Sequence, residues 1–198
     1  MPRSAPAERG SEMPLLNTAA GYGGLTKALH WLVVGLFSFQ LVSAFIMLRM
    51  DEHGVVIGLG QAAWYNGHKT LAIVALFVAL GRLWARRAGE LPDRAPKLTE
   101  FEKRVVHRAE QALYLAMFLM PVRGFVFAMA AGYGVQFAGL WALPNPIGKW
   151  EPSGEAARVE HVGGAILLGL ALAAHLAVVL RHVFWVRDGL LRRMLPRR

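Results

Sequence analysis

Histidine is the residue type whose chemistry and spacing in this chain best suit a metal or cofactor site. The 198 residues include seven histidines and no cysteine. Four of the histidines, His30, His68, His161 and His175, lie in or at the ends of apolar stretches. An ionisable side chain is costly there and indicates function. Because thiolate centres and disulfides need cysteine, any metal must be held by histidine, methionine or carboxylates.

The stretches that carry these histidines are long enough to cross a membrane. A spanning helix needs about 20 mostly apolar residues, and four stretches qualify: 28–48, 66–84, 111–131 and 162–180. With 55% hydrophobic residues and a mean hydropathy of +0.37, the sequence predicts an all-α integral membrane four-helix bundle in a lipid bilayer. Residues 25–198 form this domain, and residues 1–24 are predicted to be a flexible polar extension.

The basic residues predict the orientation of the bundle. The N-terminal segment, the second connector and the C-terminal tail hold 17 Lys and Arg residues, whereas the first and third connectors hold 3. Lys and Arg concentrate in cytoplasmic loops, so both termini should be cytoplasmic. The net charge of +9 follows from this distribution, and we expect no nucleic acid partner.

Depth in the membrane pairs the four histidines. His161 and His175 are 14 residues apart, which is nearly four helical turns and about 21 Å along one helix face. His68 begins the second span at the outer side, level with His161, and His30 begins the first at the inner side, level with His175. One histidine alone could be a helix–helix hydrogen bond, but two matched pairs predict two stacked haems with axial imidazoles.

Other polar residues near the pairs suggest further roles. Arg82 follows His68 by 14 residues, so it is expected at the depth of the inner pair. There it could bind a haem propionate or be an ordinary interfacial arginine. His182 and Trp185 stand together at the cytoplasmic end, where histidine suits a quinone head group or is simply interfacial. Paired histidines also suit zinc or copper transport, although the spans lack accompanying carboxylates at these depths.

Several short motifs resemble the bacterial cytochrome b561 family, from about Leu25 to the C-terminus. They are Leu29-His30-Trp31, Gly67-His68-Lys69, Leu-Met-Pro-Val-Arg-Gly from Leu119, Ala174-His175 and Arg181-His182-Val-Phe-Trp185. The resemblance implies two haems b, with His30 and His175 on the cytoplasmic iron and His68 and His161 on the periplasmic iron. The sequence departs from the family at Arg123, where the family has an apolar residue, and in its longer N-terminal and third-connector segments.

The resemblance also implies an activity, that of a superoxide:ubiquinone oxidoreductase of the bacterial inner membrane. Electrons would pass from periplasmic superoxide through both haems to ubiquinone, which His182 and Trp185 would line. Four basic residues could steer superoxide toward the outer haem: Lys69, Arg123, Lys149 and Arg158.

Two alternatives remain open at this stage. The chain could be a cytochrome b relay subunit that docks a periplasmic redox partner, as the related hydrogenase cytochrome b subunits serve a partner enzyme. Residues 132–160 would then be the docking surface. It could also be a histidine-based metal transporter, which would be colourless.

Overall fold

Four long helices form the chain in the computed structural model, which describes residues 14–196. The helices are α1 (Gly24–Met47), α2 (Gln61–Ala88), α3 (Glu100–Ala130) and α4 (Glu151–Arg181). Along the chain, α1 packs on α2, α2 on α3 and α3 on α4. The all-α class predicted from the sequence is confirmed.

Two short antiparallel hairpins lie in the connectors. The first, β1 (Val55–Val56) with β2 (Leu59–Gly60), precedes α2, and the second, β3 (Gln136–Phe137) with β4 (Trp141–Ala142), precedes α4. After α4 the chain forms a π-helical turn and a 3₁₀ turn, over His182–Val186 and Leu190–Arg193.

The helices extend beyond the predicted apolar spans. Helix α3 begins at Glu100 because Thr99 caps it: the Thr99 hydroxyl accepts from the Glu102 amide, and the Glu102 carboxylate accepts from the Thr99 amide. Helix α4 has Pro152 in its first turn, where proline is tolerated and its fixed φ suits a helix. Both first turns carry charged residues, so they lie outside the apolar stretches predicted from the sequence.

Three helical stretches are long and apolar enough to cross a membrane: Gly24–Met47, Glu100–Ala130 and Pro152–Val186. Helix α2 is not among these stretches in the part of the chain that the structure describes. It carries Lys69 near one end and Arg82, Arg86 and Arg87 near the other. The surfaces of α1 and α4 are apolar, and large side chains such as Phe45, Leu167 and Leu170 are exposed. Such surfaces suit lipid tails.

The second part of the predicted flexible extension is held in place. The Pro14 and Leu15 carbonyls accept from the Gly24 and Leu25 amides, and the Asn17 carbonyl accepts from the Glu90 amide beyond α2. Residues 14–23 therefore pack against the α1 and α2 ends. Residues 1–13 of the predicted extension lie outside the described residues.

Candidate cofactor sites between the helices

The histidine pair predicted at the outer side, called the outer pair below, is brought together by α2 and α4. The ring centroids of His68 and His161 are 6.4 Å apart and their planes cross at 80°. A metal–imidazole bond is about 2 Å, so two rings that hold one metal ion between them have centres about 6 Å apart. The observed separation therefore suits two axial ligands of one iron.

His68 is held by two polar residues of α1. The Ser43 hydroxyl lies 2.8 Å from His68 Nδ1 and 3.0 Å from the Gln40 carbonyl oxygen. The Gln40 amide donates to the His68 carbonyl oxygen at 3.1 Å. Ser43 is fully buried. Gln40 and Ser43 were not predicted as site residues, although two polar residues three apart on one face of an apolar helix are a usable signal.

His161 lies against the backbone of α3 at Gly124. A Cβ atom added at Gly124 would come within 2.9 Å of His161 Cε1 and 3.3 Å of its Nδ1. A residue larger than glycine cannot occupy this position unless the imidazole moves. This glycine ends the Leu-Met-Pro-Val-Arg-Gly stretch, so the sequence contained the signal.

The inner pair comes from α1 and α4. His30 and His175 both lie within electrostatic range of Arg82 of α2, and His30 also lies within range of His175. Arg82 also lies over the ring of Tyr114 in α3, with 5.6 Å between the guanidinium carbon and the ring centroid. One residue from each helix thus contributes to this end of the molecule.

Buried polar atoms at the inner pair favour an acidic cofactor whose metal takes axial ligands from the protein. Arg82 Nη1 and His175 Nδ1 are buried and have no hydrogen-bond partner among the described residues. A buried guanidinium N–H is costly without an acceptor, and a carboxylate matches it best. In residues 14–196 no three histidines or carboxylates cluster as a metal site, so each pair offers two imidazoles, which a haem iron takes as axial ligands.

The small residues near the pairs fall into two groups. A Cβ added at Gly163 or Gly169 would meet nothing within 4 Å, so both leave open space beside α4. By contrast, a Cβ at Gly67 would lie 3.4 Å from Phe39, and one at Gly164 would lie 2.8 Å from the Met120 sulfur. The first group suits a flat macrocycle close to the backbone, and the second is explained by helix packing. Together with the histidines, this arrangement fits haem.

The four basic residues predicted to steer an anion have partners. Arg123 forms an ion pair with Glu160, and Arg158 with Glu155. Lys69 Nζ donates to the Gly134 carbonyl oxygen at 2.8 Å. The Lys149 side chain lies against Gly132, 3.1 Å from a Cβ added there. Two of the four charges are therefore neutralised locally, which weakens a steering field.

His182 and Trp185 are placed differently from each other. Trp185 is 77% exposed, whereas His182 is fully buried. His182 Nδ1 lies 2.8 Å from Asp188 Oδ2 and Nε2 lies 3.3 Å from Glu102 Oε1. Both ring nitrogens thus contact carboxylates, neither of which was predicted as a site residue.

Asp188 anchors the turn that follows α4. Burial raises the pKa of its carboxyl, but hydrogen bonds from His182 and from the Leu190 amide outweigh burial and hold this pKa below its usual value. The carboxylate is therefore ionised at neutral pH, and it fixes the π-helical turn against the 3₁₀ turn.

Comparisons with known proteins extend over nearly the whole chain. The family model described as prokaryotic cytochrome b561 matches residues 21–197. The chain is also 24% identical over 191 residues to the protein named cytochrome b561 homolog 2 of Escherichia coli (strain K12). That alignment covers 92% of this chain and 95% of the relative.

Proposed function

This chain belongs to the prokaryotic cytochrome b561 family, as its motifs predict, and on that premise we propose that it is a four-span cytochrome with two haems b. Membership indicates a membrane protein that binds haem b and transfers electrons. The number of haems, their ligands and the direction of electron flow are our proposal. The observation that carries it is the His68–His161 pair, at 6.4 Å between ring centroids.

Two haem sites are assigned to the two histidine pairs. His68 and His161 hold the outer haem on the periplasmic side, and His30 and His175 hold the inner haem on the cytoplasmic side. Arg82, with its buried unpaired N–H, neutralises a propionate of the inner haem. Both termini lie in the cytoplasm of a bacterium, and α2 crosses the inner membrane because its charged residues stand near its two ends.

The haems, when bound, supply one-electron carriers between the two faces of the membrane. In the proposed reaction two superoxide anions each lose one electron at the periplasmic face and leave as dioxygen. One ubiquinone takes both electrons and two protons from the cytoplasm and becomes ubiquinol. The residues of the chain hold the carriers and exclude water from them.

The quinone is proposed to bind at the cytoplasmic end beside Trp185, whose ring is exposed. His182 stands one turn earlier, behind the surface. To bond a quinone carbonyl, its ring must first give up its contact with Asp188 or Glu102. Trp185 is therefore the residue whose substitution tests quinone binding with the least effect on the fold.

The first experiment is a visible spectrum of the purified protein with a haem count. We expect a reduced b-type α-band and two haems per chain, whereas a colourless protein would support metal transport. A stopped-flow assay then mixes the oxidised protein with superoxide. Haem reduction that superoxide dismutase abolishes supports the proposed donor, and reduction no faster than in the dismutase control refutes it.

A relay subunit is the second candidate, because the outer hairpin presents aromatic side chains. Tyr133, Leu140 and Trp141 are 70%, 75% and 63% exposed around β3 and β4. Exposed aromatic side chains such as Tyr133 and Trp141 are enriched at protein interfaces. Copurification of a periplasmic dehydrogenase, together with haem reduction only in its presence, would favour this role over superoxide oxidation.

A further inference from the structure

We propose that Ser43 is a positioning residue that fixes the tautomer of His68 and lowers the midpoint potential of the outer haem. The inference rests on the proposed function, because it assigns His68 to the outer haem. Ser43 belongs to α1, a helix that supplies no ligand to that haem. Ser43 therefore affects the outer haem through the imidazole of His68.

One assignment of the donors satisfies both contacts of the Ser43 hydroxyl. A serine hydroxyl has one hydrogen and two lone pairs. The carbonyl oxygen of Gln40, 3.0 Å away, can only accept, so the Ser43 hydrogen points to it. The bond of 2.8 Å to His68 Nδ1 must then use a lone pair of Ser43. His68 therefore carries its proton on Nδ1 and presents a bare Nε2.

Burial makes this arrangement persistent. Ser43 has no exposed surface, so water does not compete for its hydroxyl. Gln40 adds a second link between the same helices, because its amide donates to the His68 carbonyl oxygen at 3.1 Å. Together, Gln40 and Ser43 fix both the backbone and the ring of His68 relative to α1.

A hydrogen bond from Nδ1–H to an acceptor makes an imidazole a more basic ligand and orients it toward the metal. A more basic axial ligand stabilises ferric over ferrous iron, so it lowers the midpoint potential. The Nδ1 atoms of His161 and His175 have no hydrogen-bond partner among the described residues, and the Ser43 hydroxyl contacts the ring of His68. Ser43 therefore acts on one haem only.

The test is Ser43→Ala in the full-length protein purified with both haems. Potentiometric titration of the α-band resolves the haem potentials, and electron paramagnetic resonance reports the ferric low-spin signals. We expect the outer haem potential to rise and its low-spin signal to shift, with the inner haem unchanged. The variant His161→Ala identifies which signals belong to the outer haem.

Two further variants complete the test. Ser38→Ala makes the same change five residues earlier on α1, where the side chain is exposed, and should leave both potentials unchanged. Ser43→Cys keeps the size but offers a weaker acceptor, and should give an intermediate shift. Should Ser43→Ala lose the outer haem, Ser43→Cys decides: a raised outer potential supports the proposal, and a wild-type potential overturns it.

Identical potentials in Ser43→Ala and Ser38→Ala would overturn the proposal. Equal shifts at both haems would also overturn it, because they would indicate a general packing effect. Failure of the proposed function looks different: the wild-type protein would then hold fewer than two haems with paired imidazoles, whatever residue 43 is.

Discussion

Substitution of Gly124 by alanine is the sharpest test of how the outer site is built. The added Cβ would approach His161 Cε1 to 2.9 Å and Nδ1 to 3.3 Å. The first distance is shorter than carbon atoms tolerate, so the imidazole must move or α3 must shift. Overpacking of this kind costs about 1–3 kcal/mol. If the cost falls on the ligand, outer haem affinity weakens by about 5- to 150-fold.

The assay compares haem content and the rate of haem loss in Gly124→Ala with those of the wild-type protein. We expect outer haem to be lost selectively, or to be retained with an altered low-spin signal. Gly35→Ala is the matched control, because Gly35 is exposed on α1 and a Cβ there meets nothing within 4 Å. Wild-type haem content and spectra in Gly124→Ala would refute the reasoning, and so would selective loss of the inner haem.

Three other predictions concern the inner end. His30→Ala and His175→Ala should each leave one haem per chain and remove the same haem, and loss of different haems would contradict the pairing. Arg82→Gln should weaken inner haem retention by about 10- to 100-fold, the value of a charged hydrogen bond, as measured by haem loss; unchanged retention would exclude the propionate contact. Asp188→Asn should lower the unfolding temperature at neutral pH. The folded pKa of Asp188 lies below its usual value. Its contribution to the free energy of unfolding is therefore present above about pH 4 and is lost as the pH falls through the folded pKa. Equal stability of variant and wild type at pH 7 would contradict this.

The sequence predicted the parts of the site that depend on helical periodicity. The 14-residue spacing of His161 and His175 places both on one face of α4 whatever else the chain does. His68 could then be assigned to the level of His161, and the structure brings those two rings to 6.4 Å. Helix ends were less predictable, because the first turns of α3 and α4 depend on Thr99 and Pro152 rather than on apolar residues.

Contacts between distant segments were beyond the sequence. Nothing in the spacing of His182 indicates that Glu102, 80 residues earlier, lies 3.3 Å from its ring. Likewise, the ion pair of Arg123 with Glu160 depends on how α3 packs on α4. The sequence predicts a free positive charge at Arg123 that could steer an anion. The ion pair with Glu160 weakens this steering.

The two ends of the bundle are held by different kinds of interaction, and this determines how much stability each end gains when a haem binds. At the outer end, direct contacts position the histidines: Ser43 bonds His68, and the Gly124 backbone lies against His161. At both ends one histidine Nδ1 is buried without a hydrogen-bond partner among the described residues, His161 at the outer end and His175 at the inner end, and the inner end also holds the buried, unpaired guanidinium N–H of Arg82. Buried unpaired polar atoms are costly until a ligand satisfies them. The inner end should therefore gain more stability from its haem, whereas the outer end is arranged before its haem binds.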